Sequence, residues 1–158
     1  DVEILVYDPY LSEWEAGRLG VKKADLDDLF SRCDFVTIHA PLLPETVGMI
    51  GAKQLKLLKD GAVLVNTSRG KVIDHQALIE ELQKGRFLAT LDVTDPEPLP
   101  KDSPLRKMPN VIITPHISGA GYYGYFKIGV LTLQALEDFF AGKTPEGVIN
   151  FGQYARIA

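Results

Sequence analysis

Ala62-Val63-Leu64-Val65-Asn66-Thr67-Ser68-Arg69-Gly70 decides the fold. Its apolar half carries no alternation, so it reads as a strand buried on both faces of a parallel sheet. It then breaks at once into small polar residues and an arginine. Two other stretches repeat the plan. Phe87–Leu91 runs into Asp92-Val93-Thr94-Asp95-Pro96-Glu97, and Val111–Thr114 runs into Pro115-His116-Ile117-Ser118-Gly119. Ligands of open α/β sheets bind outside the carboxyl ends of the strands, so residues just past those ends can converge on one crevice. A guanidinium (Arg69), a carboxylate (Glu97) and an imidazole (His116) in those places suit the chemistry of a 2-oxo or 2-hydroxy acid.

Outward from this centre the chain alternates strands and helices. Val2–Tyr7 is an apolar run stopped by Asp8-Pro9. A helix is expected around Ser12–Leu19, and Leu26, Leu29, Phe30 and Cys33 at i, i+3, i+4 and i+7 mark another. Asp34–His39 reads as a strand, and Glu45–Lys59 as a loop and a short helix ended by Asp60-Gly61. Asp74 is placed to cap a helix over His75–Lys84, with Gly85 just past its end. A proline-rich segment from Pro96 to Pro109 precedes the last strand, and a long helix is expected over Tyr122–Ala141. Strand–helix alternation implies right-handed crossovers and a doubly wound parallel sheet.

Composition narrows the function classes. The net charge of -4 gives no footprint for nucleic acid or an anionic membrane. No apolar run approaches the ~20 residues of a membrane-spanning helix. Three histidines and one cysteine argue against a metal site, and lone Cys33 excludes an internal disulfide. These features point to a reducing, cytoplasmic setting. The chain opens without methionine, inside what already reads as a strand, and is expected to be a piece of a longer protein.

Each candidate residue has a plainer alternative. Asp8, closing a strand, is where an adenosine ribose is bound in dinucleotide folds and where a 2′-phosphate is repelled, but Asp-Pro is also an ordinary turn. Arg69 can clamp a carboxylate bidentately or cap a helix end. A carboxylate beside His116 would orient its ring for acid–base work, with Glu97 the first candidate and Asp95 its competitor. Asp92 either hydrogen-bonds a nicotinamide or caps its turn. His39 lines the crevice, and His75, at a helix start, reads as solvated. Tyr122, Tyr123, Tyr125 and Phe126 read as packing.

The stretches YDPY, DFVTIHAPLLPET, GAVLVNTSRGKVIDHQALIEELQKGRFLATLDVTDPEPLP and NVIITPHISGA resemble the D-isomer-specific 2-hydroxyacid dehydrogenases, in that family's order, from Tyr7 to about Ala120. The tail LQALEDFFAGKTPEGVIN is similar to the family's closing helix and extension. The resemblance implies a Rossmann-like NAD-binding domain over residues 1–142 and an extension over 143–158 leading towards a substrate domain. It implies reversible hydride transfer between NAD and a 2-oxo/2-hydroxy acid pair, in a homodimer. Arg69 would bind the substrate carboxylate, His116 would be the acid–base catalyst and Glu97 its partner. Asp8, Ala40, Thr67, Ser68, Asp92 and the segment from His116 to Gly119 would line the cofactor.

Two departures from the family pattern carry expectations. The first strand and the glycine-rich loop are absent, so the strands on either side of that place should face a gap with unpaired edges. Gly121-Tyr122-Tyr123-Gly124-Tyr125 replaces a more polar helix start. Two other functions stay open on the sequence: an NAD-sensing corepressor-like binding module, and a fragment without activity of its own.

Overall fold

The computed structural model describes residues 2–154 and 157. The chain runs β1 (Leu5–Val6), α1 (Glu13–Leu19), β2 (Lys22–Lys23), α2 (Leu26–Arg32), β3 (Phe35–Ile38), α3 (Ala52–Leu57), β4 (Val63–Asn66), α4 (His75–Leu82), β5 (Leu88–Leu91), β6 (Val111–Ile113), α5 (Tyr122–Phe140) and α6 (Phe151–Tyr154). Short 3₁₀ turns cover Gly70–Val72 and Pro104–Lys107.

Local chemistry explains the helix ends. Ser12 and Glu15 form a reciprocal capping box at the start of α1, and Gly20 closes it in the left-handed region at φ 70°. Asp74 accepts from the amides of Gln76 and Ala77 to start α4. That helix ends at Leu82, two residues short of the expected Lys84, because the chain already turns towards Gly85 at φ 69°.

Among the described residues the strands are all parallel, in two separate sheets. One has the order β3-β4-β5-β6 and the other is the pair β1-β2. The expected gap therefore lies between β1 and β3. Its presence shortens the first strand: with pairing on one side alone, Val2–Tyr7 keeps only Leu5 and Val6, and Val2 and Ile4 are exposed. β2 was not foreseen, since Lys22-Lys23 has no apolar signal and is a strand only through its ladder to Leu5 and Val6.

The four-stranded sheet turns Val36, Ile38, Leu64, Asn66, Ala89 and Leu91 inward onto Phe30, Leu55, Leu58, Leu78, Leu82 and Phe87. The face expected to be buried as well is only partly covered: Phe35 is 77% exposed and Ile112 61%. α5 likewise keeps large apolar side chains outside the core, including Leu131, Leu133, Leu136 and Phe139. Tyr123, Tyr125 and Phe126, expected to pack, are exposed, and the side chain of Tyr122 lies outside the described residues. No described helix is long and apolar enough to cross a membrane.

Register is what positions the site. Ile38 pairs with Asn66, Asn66 with Leu91, and Leu91 with Ile113. This single row ends the sheet, so the loops carrying Ala40, Arg69, Glu97 and His116 all leave from one edge.

Candidate active site

After β4, Asn66 organises the turn. Its side chain is wholly buried, Oδ1 accepts from Ser68 N and Ser68 Oγ at 3.0 Å each, and Nδ2 donates to the Arg69 carbonyl at 3.0 Å. Thr67 and Ser68 are half-buried against this turn, and Arg69 is exposed with Nη1 donating to the Ser68 carbonyl at 2.8 Å. Gly70 then passes so close to the next loop that a Cβ there would lie 2.1 Å from the Thr94 carbonyl oxygen. The Arg69 turn thus abuts the Thr94–Pro98 loop, and only a glycine permits it.

That loop presents Glu97 to His116. His116 Nδ1 donates to Glu97 Oε1 at 2.6 Å, with the two side chains 48% and 41% exposed. A carboxylate has no proton to give here, so Nδ1 carries the hydrogen and Nε2 is the ring's other, unprotonated nitrogen in the neutral form. Of the two carboxylates expected to compete for His116, Glu97 is the one bonded to it. His116 is also a left-handed residue at φ 53°, a conformation that costs a side-chain-bearing residue of order 1 kcal/mol and is held only by its surroundings.

Asp92 supplies those surroundings. Its carbonyl accepts from His116 N at 2.9 Å. Its carboxylate takes four bonds: Oδ1 from Thr114 Oγ1 at 2.5 Å and Ile117 N at 2.9 Å, and Oδ2 from Ser118 N at 2.9 Å and Ser118 Oγ at 2.6 Å. Burial by itself would raise this carboxyl, but bonds from the Ser118 and Thr114 hydroxyls and from the Ser118 and Ile117 amides outweigh it. They hold the group ionised, far below the usual carboxylate range. Of its two expected roles, capping the turn is the one visible. Gly119 follows on the same exposed loop.

Of the remaining predicted residues, Asp8 follows β1 in the other sheet and Ala40 follows β3. Asp8 Oδ1 accepts from Tyr10 N at 2.8 Å, which is the turn reading. Asp8 also borders a cavity of about 600 Å³ in the gap between β1 and β3, whose opposite wall includes His39 and Ala40. His39 Nε2 bonds Thr37 Oγ1 at 2.9 Å. Asp8 and Ala40 therefore share one cavity, while Arg69, Glu97 and His116 gather on adjoining loops further along the edge.

Sequence reasoning missed two residues here, Asn66 and His75. A short polar side chain directly after an apolar run is the signal that could have marked Asn66. His75 is half-buried, not solvated: Nε2 accepts from Asp95 N at 3.1 Å and Nδ1 faces the Ile73 carbonyl at 3.3 Å. Among the described residues no group of three or more His, Cys, Asp or Glu could hold a metal ion.

Comparison with known proteins places this geometry. The chain is 35% identical over 151 residues to the D-3-phosphoglycerate dehydrogenase of Archaeoglobus fulgidus, covering 95% of itself and 29% of that protein. It is 40% identical over 150 residues to the glyoxylate reductase of Korarchaeum cryptofilum, covering 94% of itself and 45% of the relative. The holo structure of Rhodotorula graminis D-mandelate dehydrogenase superposes with a TM-score of 0.78 at 31% identity, over 94% of this chain and 45% of that one. The chain thus spans less than half the length of these relatives. The sequence model described as "D-isomer specific 2-hydroxyacid dehydrogenase, NAD binding domain" matches residues 1–118. The chain belongs to the D-isomer specific 2-hydroxyacid dehydrogenases, as a Rossmann-like NAD-binding domain of that family.

Proposed function

We propose that this domain supplies the cofactor site and the acid–base pair of an NAD-dependent dehydrogenase that interconverts 2-oxo and D-2-hydroxy acids. The observation that carries the reading is the 2.6 Å contact between His116 Nδ1 and Glu97 Oε1, on the same strand-end row as Arg69. The residues fit a dinucleotide. The cavity between β1 and β3 puts an acid, Asp8, opposite the small Ala40, which suits a ribose with a free 2′-hydroxyl. Thr67, Ser68, Asp92 and the loop from His116 to Gly119 would shape the nicotinamide end, Asp92 through the four bonds that fix that loop.

NAD, when bound, carries the hydride. The chain's own residues do the rest. Arg69, exposed on a turn fixed by Asn66, binds the substrate carboxylate and draws electron density from the neighbouring carbonyl. His116 donates a proton from Nε2 to the 2-oxo oxygen in reduction and takes it back in oxidation. Glu97 holds the ring in the tautomer that makes Nε2 the active atom and steadies the imidazolium form. A cytoplasmic enzyme assembled as a homodimer, with the long apolar face of α5 covered by a second subunit, completes the reading.

An NADH titration of the 158-residue chain, read by fluorescence alongside solution mass, tests the cofactor site. Saturable binding supports it, and a folded chain that binds nothing removes it from this domain. In a full-length dehydrogenase bearing these residues, His116→Ala should lower kcat about 10²–10⁴-fold with NADH affinity little changed. Arg69→Ala should chiefly impair use of the 2-oxo acid. Parent rates in both variants would refute the assignment.

A further inference from the structure

We infer that His75 is a positioning residue for the catalytic pair: its neutral ring anchors the Thr94–Pro98 loop, and so holds Glu97 against His116. This rests on the reading of Glu97 and His116 as the acid–base pair. The hydrogen-bond pattern fixes the ring's state. A backbone amide can only donate, so Nε2, 3.1 Å from Asp95 N, is an acceptor. A carbonyl can only accept, so Nδ1, 3.3 Å from the Ile73 oxygen, carries the hydrogen. Both nitrogens are used and the ring is uncharged. Adding a proton at Nε2 would set two donors face to face and sever the bond to Asp95.

The anchored atom is two residues from Glu97. Thr94, on the other side of Asp95, is held twice more: its carbonyl lies against Gly70, and its hydroxyl donates to the Pro96 carbonyl at 2.9 Å. His75 is thus the tie between this loop and α4, whose first residue it is. Burial keeps the ring's pKa below its ordinary value, against an upward pull from the Ile73 carbonyl and from two carboxylates, Asp95 across the contact and Asp74 on its own helix. The anchor is therefore set at neutral pH and lets go on acidification. This adds an acid limb to Glu97 positioning that is separate from any titration of the catalytic pair.

The test is NMR on the 158-residue chain, with no cofactor. In the parent, the Asp95 amide shift should follow the ring titration of His75 from about pH 8 to about pH 4. In His75→Gln, whose side-chain oxygen can take the place of Nε2 without titrating, the Asp95 amide should keep its position at pH 8 and lose the step that follows the ring titration. In His75→Ala at pH 8, the Asp95 amide and the Nδ1 proton of His116 should each exchange with water about tenfold faster or more. A parent Asp95 amide that ignores the His75 titration overturns the proposal. So does a His116 proton unaffected in His75→Ala while Glu97→Gln moves it, and the dyad then still stands. If Glu97→Gln leaves the His116 proton unchanged, the dyad itself falls and the proposal with it. Should His75→Ala not fold, the loss of the ring-titration step in His75→Gln carries the test, and an Asp95 amide that keeps that step in the variant overturns the proposal.

Discussion

Replacing Gly70 with alanine should force apart the two loops that carry Arg69 and Glu97. The added Cβ would sit 2.1 Å from Thr94 O, 2.2 Å from Thr94 C and 2.7 Å from Asp95 N, where 3.0 Å is the least that real Cβ atoms tolerate. All three neighbours are backbone atoms, so no side-chain rotation relieves the overlap. Moving the oxygen from 2.1 Å to 3.0 Å requires a shift of about 0.9 Å in one loop or the other. On the Gly70 side that shift strains the turn held by Asn66, and on the other it pulls Asp95 from His75. Overpacking of this kind costs typically about 1–3 kcal/mol, and the unyielding partners place this case near about 3. For a chain of this size that corresponds to a Tm lowered by about 6–12 °C. Thermal unfolding followed by circular dichroism, checked by a urea midpoint, measures it. A Tm within about 2 °C of the parent would refute the claim that this close approach requires glycine.

Other perturbations probe the same supports. Asp92→Asn turns a carboxylate with four donors around it into an amide that itself donates, and should cost about 2–4 kcal/mol by urea denaturation. Because its folded pKa is depressed, the parent's Asp92 contribution is complete above about pH 4, the unfolded value, and is lost as pH falls further towards the folded one. The variant should lack that part of the acid dependence, and identical slopes below pH 4 would count against it. Asp74→Ala removes the acceptor for two amides at the start of α4 and should cost about 1 kcal/mol. Phe30→Ala empties a buried site beneath the sheet and should cost about 3–5 kcal/mol, seen as a lower urea midpoint.

What the sequence made legible follows from the range of the forces involved. The strands β3 to β6 announce themselves because apolar runs are local, and α1 and α4 because their caps lie within three residues of what they bind. The site residues could be named because each follows such a run directly. β2 was illegible: two lysines form a strand only because Leu5 and Val6 offer a ladder. His75 was misread as solvated because its partner, Asp95, is twenty residues away and joins it only once α4 and the β5 exit are packed. Asp92 looked available to a ligand because nothing local says that Thr114, Ile117 and Ser118 will all point at it. The reason for glycine at position 70 is a tertiary approach to Thr94, which no turn pattern encodes.

Within these 158 residues the separation of the two sheets makes for uneven stiffness. Among the described residues β1 and β2 pair only with each other, so shear between Val6 and Phe35 meets side chains and no amide ladder. Asp8 rides on a compliant flap, while His116 is fixed to a stiff plate of four strands. A molecule that gripped both would act as a brace, and its arrival would be felt most at the flap. Exchange of the Lys22 and Ala24 amides, which close the small ladder onto Ile4 and Val6, would slow sharply. The amides of Val63 and Ala89, already locked in the plate, would barely respond.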